Sequence, residues 1–260
     1  MSTVNHAQIA EKLFQAKASA APVTKFTAQF SSFGLPDAYQ VQSLLLGHHL
    51  ANKEILVGRK MGLTSKPKMQ QMGVHEPIHG FLTSAMQIND GGEIALNGRI
   101  HPKAEPEIAF ILARDLKGRP SLAEALSAVD GVCAALEIID SRYQNFEFAL
   151  PDVVADNGSS SGFILGGVMK KASSIDLANL GILLELDGKS QQFGSSAAIL
   201  GHPGRSLASL AALLDAEGKF LPAGSIVLAG AATAAIPLAC GSWVRATFQE
   251  LGTVEAWAAE

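Results

Sequence analysis

The chain has 260 residues, 48% of them apolar, and a formal net charge of −4. That length accommodates one large domain or two modest ones with a real core, and the near-balanced charge argues against a nucleic-acid groove or a polybasic membrane patch. No apolar stretch reaches the roughly 20 residues a bilayer span needs, and the N-terminus lacks the charged lead and apolar block of a secretory signal, so the chain reads as soluble and cytoplasmic.

Residues 1–54 read as a helical N-terminal region. Ile9, Leu13 and Phe14 share one helical face. A second helix is expected from Pro36 to about Leu50, with Asp37 in its first turn and Tyr39, Val41, Leu44, Leu45 and Leu46 as its apolar side. From Ile55 the texture changes to short apolar runs broken by glycine, which marks residues 55–260 as a strand-rich catalytic domain. The first run, "ILVG", leads into "GRKMGLTS". There Lys60 sits between Gly58 and Gly62, which permit close backbone approach. It is either a solvated lysine at a strand end or a fixed cation that holds a carboxylate or gives a proton. Ser65 to Leu82 is rich in Met, Gly, Pro and His with little periodicity and reads as a mobile lid, with His75 and His79 as surface or packing residues.

"EIALNG" is a further strand, and "HPKAEPEIAF" follows. Alternation puts Lys103, Glu105 and Glu107 on one face. Pro106 cannot donate to a ladder, which predicts an edge strand or a bulge. A helix over Leu122 to Val129 is expected from Ser121 as N-cap with Glu124 three residues on. In the next strand, "GVCAALEIID", Glu137 lies among apolar residues. An unpaired carboxylate there costs several kcal/mol. Two readings satisfy the three glutamates. Lys103 and Arg142 pair with them, or a hard divalent cation sits between Glu105, Glu107 and Glu137. With neither a Cys/His cluster nor HExxH, that ion would be Mg²⁺ or Mn²⁺ rather than zinc. Cys133 and Cys240 read as two reduced, buried thiols.

"PDVVADNGSSSG" is either plain turn chemistry or a site loop in which Asn157 and Ser159 offer hydrogen bonds. "SGFILGGVM", "ILLELDGKSQQF", "SIVLAG" and "WVRATFQELGTVEAWA" supply further strands, with a tight Asp-Gly hairpin at Asp187–Gly188. His202 marks the turn into a helix over Ser206 to Leu214. No repeat, dinucleotide or phosphate-loop motif interrupts this α+β pattern.

The ordered set "GRKMGLTS", "MGVHEPIHGFL", "HPKAEPEIAF", "ALEIIDSRY", "VVADNGSS" and "ILGHP" resembles the hydratase/decarboxylase branch of the fumarylacetoacetate hydrolase superfamily, from about residue 35 to the C-terminus. The resemblance implies a mixed β-sheet roll and a cytoplasmic, homo-oligomeric enzyme of aromatic meta-cleavage pathways. Its Mg²⁺ (alternatively Mn²⁺) would be held by Glu105, Glu107 and Glu137. It also implies catalytic roles for Lys60, Asp156 and Ser159, and substrate contacts from Leu63, Asn157 and Thr233. "KMGLTS", "KMQQMGV" and "PIHGFL" resemble the decarboxylases of the branch more than its hydratases. This implies decarboxylation of 2-oxo-3-hexenedioate (4-oxalocrotonate) to 2-hydroxypenta-2,4-dienoate and CO₂, with a complex between the enzyme and the pathway's dienoate hydratase. The rivals are hydration of 2-hydroxypenta-2,4-dienoate, C–C hydrolysis, or a non-catalytic subunit that stabilises a partner hydratase. One departure is Ser242, which stands where the branch tends to carry an acidic residue.

Overall fold

A computed structural model describes residues 4–65, 69–70 and 76–260. Helix α1 (His6–Ser19) begins at Asn5, whose side chain accepts the Gln8 N–H at 3.1 Å, and ends at Ala20 in the left-handed conformation. Helix α2 (Leu35–Ala51) is capped by Asp37, which accepts the Gly34 N–H at 3.0 Å. Its buried stripe is Ala38, Val41, Gln42, Leu45 and His49, whereas Leu44 stays exposed. The sequence expectation put Leu44 on the apolar side, but the 3.6-residue period selects the stripe that starts at Ala38.

Two mixed sheets follow. Among the described residues the larger runs β2–β1–β10–β5–β6–β7–β3, with β11 also pairing β5. Its strands are β1 (Leu56–Gly62), β2 (Ile78–Thr83), β3 (Gln87–Ile88), β5 (Lys103–Leu112), β6 (Val129–Ile139), β7 (Ser160–Lys170), β10 (Ile226–Ala231) and β11 (Ile236–Pro237). The smaller runs β4–β13–β12–β8–β9, from β4 (Glu93–Ala95), β8 (Gly181–Leu186), β9 (Lys189–Ser195), β12 (Trp243–Phe248) and β13 (Gly252–Ala259). β1–β10, β3–β7 and β4–β13 pair in parallel and the other neighbours antiparallel, which is the mixed α+β roll expected. The Asp187–Gly188 hairpin joins β8 to β9 with both residues at positive φ. Ser121 and Glu124 close the capping box of α3 (Leu122–Ser127). His202 caps α5 (Pro203–Ala216), its Nδ1 accepting the Gly204 N–H at 2.9 Å.

One apolar core fills the space between the two sheets and under α5, with Ile108, Phe110, Leu136, Leu207 and Leu210 among its members. A second lies on the opposite face of the larger sheet. It joins Ile9, Leu13, Phe26, Val41 and Leu45 of the N-terminal region to Phe81, Ala109, Cys133, Ala135 and Phe163 of the strands. The N-terminal helices are therefore a cover on that face. Asp152 ties them down, accepting the Thr27 N–H at 3.0 Å and the Thr27 hydroxyl at 2.6 Å.

Four expectations need correction. Ile78 to Leu82 is not lid but part of β2, a strand buried along its whole length, because "IHGFLT" pairs with β1. The rest of the proposed lid, including His75, lies largely outside the described residues. "LPDVVA" forms helix α4 (Leu150–Ala155) rather than a turn. β5 is an interior strand rather than an edge, but the bulge alternative holds beside Pro106, where the register with β10 shifts between Leu228 and Ala231. β10 leaves β5 at Glu107 and β11 rejoins it at Ala104. The Pro106 carbonyl accepts the Ala232 N–H at 3.0 Å, so its donorless nitrogen faces this seam. Both cysteines are free, but only Cys133 is buried; Cys240 is exposed at a turn.

Candidate metal centre and active-site cavity

Along β5 and β6, Glu105 stands opposite Glu137 and Glu107 opposite Ala135. Alternation sends Ala104, Ile108, Phe110, Leu136 and Ile138 into the inter-sheet core. The three glutamates share the other face with Ala109 and Ala135, at a place the helical cover leaves open. One oxygen from each glutamate lies within 4.8 Å of the others. Glu107 and Glu137 are completely buried and Glu105 is 8% exposed.

Two protein groups brace this cluster. Glu107 Oε2 accepts the Gly230 N–H at 2.7 Å. Gly230 has φ +106, and a Cβ there would meet the Thr64 hydroxyl at 2.1 Å, so the position requires glycine. Lys60 Nζ lies 3.1 Å from Glu137 Oε2 and donates to the Gly158 carbonyl at 3.2 Å. Lys60 is on β1, which Gly58 lets run close to β10; a Cβ at Gly58 would meet the Ile226 carbonyl at 2.0 Å.

The salt-bridge reading of the glutamates named other partners. Arg142 is closed on Asp156 instead, and the Lys103 ammonium sits 3.8 Å from the Phe146 ring centre. Glu107 and Glu137, the two completely buried carboxylates, face the single Lys60 ammonium among the described residues, and the negative charge left over suits a divalent cation. Glu107 Oε1 and Glu137 Oε1 have no donor among the described residues, an arrangement a buried carboxylate tolerates only with a cation to face. Burial, and then the charge of Glu137, push the Glu107 carboxyl well above its usual range. Burial also raises Glu137, against the pull of Lys60. Burial draws Lys60 down, but Glu137, Glu107 and Glu105 outweigh it and set the ammonium above its ordinary value. The donor set is all oxygen, which suits a hard ion such as Mg²⁺.

A cavity of about 320 Å³ opens beside the cluster. Lys60, Glu105 and Ser159 form its polar end with Leu63 beside them, and Ile78, Ile139, Phe146, Phe148 and Val153 form an apolar wall. Asn157, Gly158 and Ser159 all carry positive φ, a kink that turns Ser159 into the cavity with its buried hydroxyl unpartnered among the described residues. The kink is clamped from behind. Asn157 Oδ1 accepts the Phe81 N–H at 2.7 Å and its Nδ2 donates to the Phe81 carbonyl at 2.9 Å.

Of the residues singled out from sequence, Glu105, Glu107, Glu137, Lys60, Leu63 and Ser159 thus converge. Asp156 and Asn157 stand behind the wall. Asp156 is pushed up to about 6 by burial, against the pull of Arg142, and the Arg142 guanidinium also reaches the Asp140 and Ser160 carbonyls at 2.8 and 3.0 Å. Thr233 lies outside the cavity lining, its hydroxyl on the Ala234 carbonyl at 3.0 Å. Ser242, the departure from the branch, closes its turn by donating to the Ala239 carbonyl at 2.6 Å and accepting the Ala239 N–H at 3.3 Å. Sequence reasoning missed Gly230, Phe146, Phe148 and Val153. "RYQNFEF" offered an aromatic pair, but nothing in it showed that positive φ at Asn145 and Phe146 turns the segment back over the site.

Residues 57–257 match the family described as fumarylacetoacetate (FAA) hydrolase C-terminal. A 4-oxalocrotonate decarboxylase from Pseudomonas sp. is 45% identical over 95% of this chain and 95% of that protein. A 2-hydroxyhexa-2,4-dienoate hydratase from Comamonas testosteroni is 34% identical over 94% of this chain and 93% of that protein. Among solved structures, 4-oxalocrotonate decarboxylase from Pseudomonas putida G7, complexed with magnesium and adipate, superposes with a TM-score of 0.95 at 40% identity, covering 99% of this chain and 100% of that one.

Proposed function

We infer the function from one premise: the chain belongs to the fumarylacetoacetate hydrolase family. Within it, the chain is a Mg²⁺-dependent carbon–carbon lyase that decarboxylates 2-oxo-3-hexenedioate to 2-hydroxypenta-2,4-dienoate and CO₂. The observation that carries this reading is the buried trio Glu105, Glu107 and Glu137 beside Lys60, at one end of a cavity whose other surfaces are apolar. The decarboxylase relatives match this chain more closely than the hydratase does. The ligand of the Pseudomonas putida G7 structure, adipate, is a saturated six-carbon diacid, the length of the proposed substrate.

Glu105, Glu107 and Glu137 would hold Mg²⁺, which when bound supplies Lewis acidity toward the 2-oxo oxygen. Leu63 and Ser159 bound the polar end of the substrate, with Ser159 offering its free hydroxyl as a donor. The distal carboxylate then lies against Phe146, Phe148, Ile78 and Val153, which strip it of water. A carboxylate without solvation is destabilised relative to the neutral CO₂ it releases. The bond to that carboxyl breaks, and its electron pair passes through the alkene to the 2-oxo oxygen. Lys60, kept cationic by its carboxylate neighbours, gives its proton there to yield the 2-hydroxy product. Asp156 and Asn157 act from behind: Asp156 fixes Arg142, and Asn157 holds the Gly158–Ser159 kink in place. We assign Thr233 no role in this scheme.

The same reading takes residues 1–54 as a helical cover and 55–260 as the catalytic domain, in a cytoplasmic homo-oligomer that also meets its pathway hydratase. Sedimentation of the chain alone and with the hydratase tests this association. The deciding assay incubates the protein with Mg²⁺ and 2-oxo-3-hexenedioate, where one CO₂ per substrate consumed is expected. Hydration of 2-hydroxypenta-2,4-dienoate with no CO₂ from the enedioate would overturn the decarboxylase assignment.

A further inference from the structure

A second cavity, about 330 Å³, opens where the last turn of α1 meets the loop between β4 and β5. It shares no lining residue with the cavity over the glutamates. Lys17 and Arg99 line it together. Arg99 is fixed, its Nε donating to the Ala95 carbonyl at 2.8 Å and its Nη1 to the Ser161 hydroxyl. Lys17 is different. It is half-buried, and among the described residues its ammonium has no ion pair and no hydrogen bond, whereas the buried Lys60 and Arg142 each hold a carboxylate. The acid beside it, Glu54, is already occupied by His49 Nδ1 at 2.9 Å and by the Thr83 hydroxyl. Burial first, then the charges of Arg142 and Arg99, draw Lys17 down to about 8. A secluded cation in the company of like charges is stabilised by an anion. Phe14, Ala18 and Ala85 supply the apolar part of the cavity's lining, beside Asn97, Ser161 and the mutually engaged His49 and Glu54.

We propose that this cavity binds a small organic carboxylate, its head between Lys17 and Arg99 and its hydrocarbon body against Phe14 and Ala85. The apolar part of the lining favours this over a bare inorganic anion, which would have to shed hydration against Phe14 and gain nothing from it. The neighbouring cleft shares Lys17 and His49 and continues to Arg142, Asn157 and Ser160, so the ligand would sit behind the kinked segment that carries Ser159.

The test uses the full-length, Mg²⁺-loaded protein with butyrate as the probe and needs no turnover, so it stands apart from the decarboxylase assay. Amine-directed labelling near pH 8, read by peptide mass spectrometry, follows Lys17 with exposed Lys12 as the internal reference. Saturating butyrate is expected to slow Lys17 labelling about tenfold and leave Lys12 unchanged, while sodium chloride at the same ionic strength protects neither. Equal protection by chloride, or none by butyrate, overturns the site. Protection by inorganic phosphate but not by butyrate overturns the carboxylate assignment. In parallel, butyrate should raise the melting temperature of the wild type and not that of Lys17→Met; an undiminished rise in the variant also overturns the proposal. If Lys17→Met does not fold, the labelling of the wild type decides.

Discussion

Replacing Glu107 with Gln should have effects of opposite sign in the absence and presence of Mg²⁺. The side chain is completely buried, one oxygen held by Gly230 N–H at 2.7 Å, with carboxylate oxygens of Glu105 and Glu137 within 4.8 Å. At that spacing each like-charge pair costs at least about 3.5 kcal/mol at an effective dielectric of about 20, part of which the wild type relieves by taking up a proton. Gln keeps the acceptor for Gly230, offers an N–H to Glu137 and removes the charge. The metal-free variant should therefore match the wild type near neutral pH and exceed it by about 1–3 kcal/mol in alkaline buffer. For a chain of this size that is about 2–4 °C of melting temperature per kcal/mol. With Mg²⁺ the order inverts. Loss of an outer-shell partner already costs about 10–100-fold in metal affinity. Loss of a ligand should exceed about 100-fold, or about 2.8 kcal/mol. Calorimetric Mg²⁺ titration and melting with and without the ion measure both effects. A variant with the wild-type Mg²⁺ affinity would refute the metal site, and a metal-free variant less stable than wild type would refute the electrostatic reasoning.

Lys60→Met should lower kcat by about 10²–10⁴ while Mg²⁺ affinity holds or tightens, since a neighbouring cation is gone; a wild-type kcat would remove Lys60 from the chemistry. In the metal-free protein Glu107 and Glu137 have raised pKa values, so their contribution to stability is complete below the ordinary carboxylate range. It is lost as pH climbs through the raised values. The melting temperature without metal should fall toward alkaline pH, Mg²⁺ should rescue more there, and binding should release protons; a pH-independent Mg²⁺ shift would contradict this. Asp156→Asn strands the buried Arg142 and should cost about 3–5 kcal/mol at neutral pH. The gap to wild type should widen as pH falls through about 6, because folded Asp156 takes up a proton there before the unfolded chain does, a gain the Asn variant lacks. Urea denaturation at two pH values checks it.

Most of the site was legible because alternation is a strict rule. Once "AEPEIAF" and "AALEII" are read as strands, Glu105, Glu107 and Glu137 must share faces with their neighbours two residues away, and an acid among apolar residues advertises a partner. Which partner was not legible. Lys60 reaches Glu137 because β1 lies next to β10, and β10 next to β5, a strand order that no local pattern encodes. The alternative that paired Arg142 with a glutamate fails for the same reason, because Asp156 at the end of helix α4 holds that guanidinium. "IHGFLT" was hidden by its glycine. Gly80 is there because a Cβ would lie 2.6 Å from Asn157 Oδ1, a tertiary reason rather than a local one. The helical cover was visible as periodicity, whereas its choice of stripe in α2 was ambiguous, because Leu44 and Leu45 are adjacent and only one of them can face inward.

The strand that carries Glu105 and Glu107 also carries Ala104, Ile108 and Phe110 of the inter-sheet core, in strict alternation and in unbroken register with β6 as far as Ile111. Insertion or deletion of one residue at Pro106 would swap the two faces on one side of it. Carboxylates would enter the dry space between the sheets, or aromatic side chains would occupy the ion's place. Chain-length variation is thus barred from this strand by folding before it is barred by chemistry. A lineage could abandon catalysis here by point substitution, as with Glu to Gln, and keep its architecture, but not by a change in length.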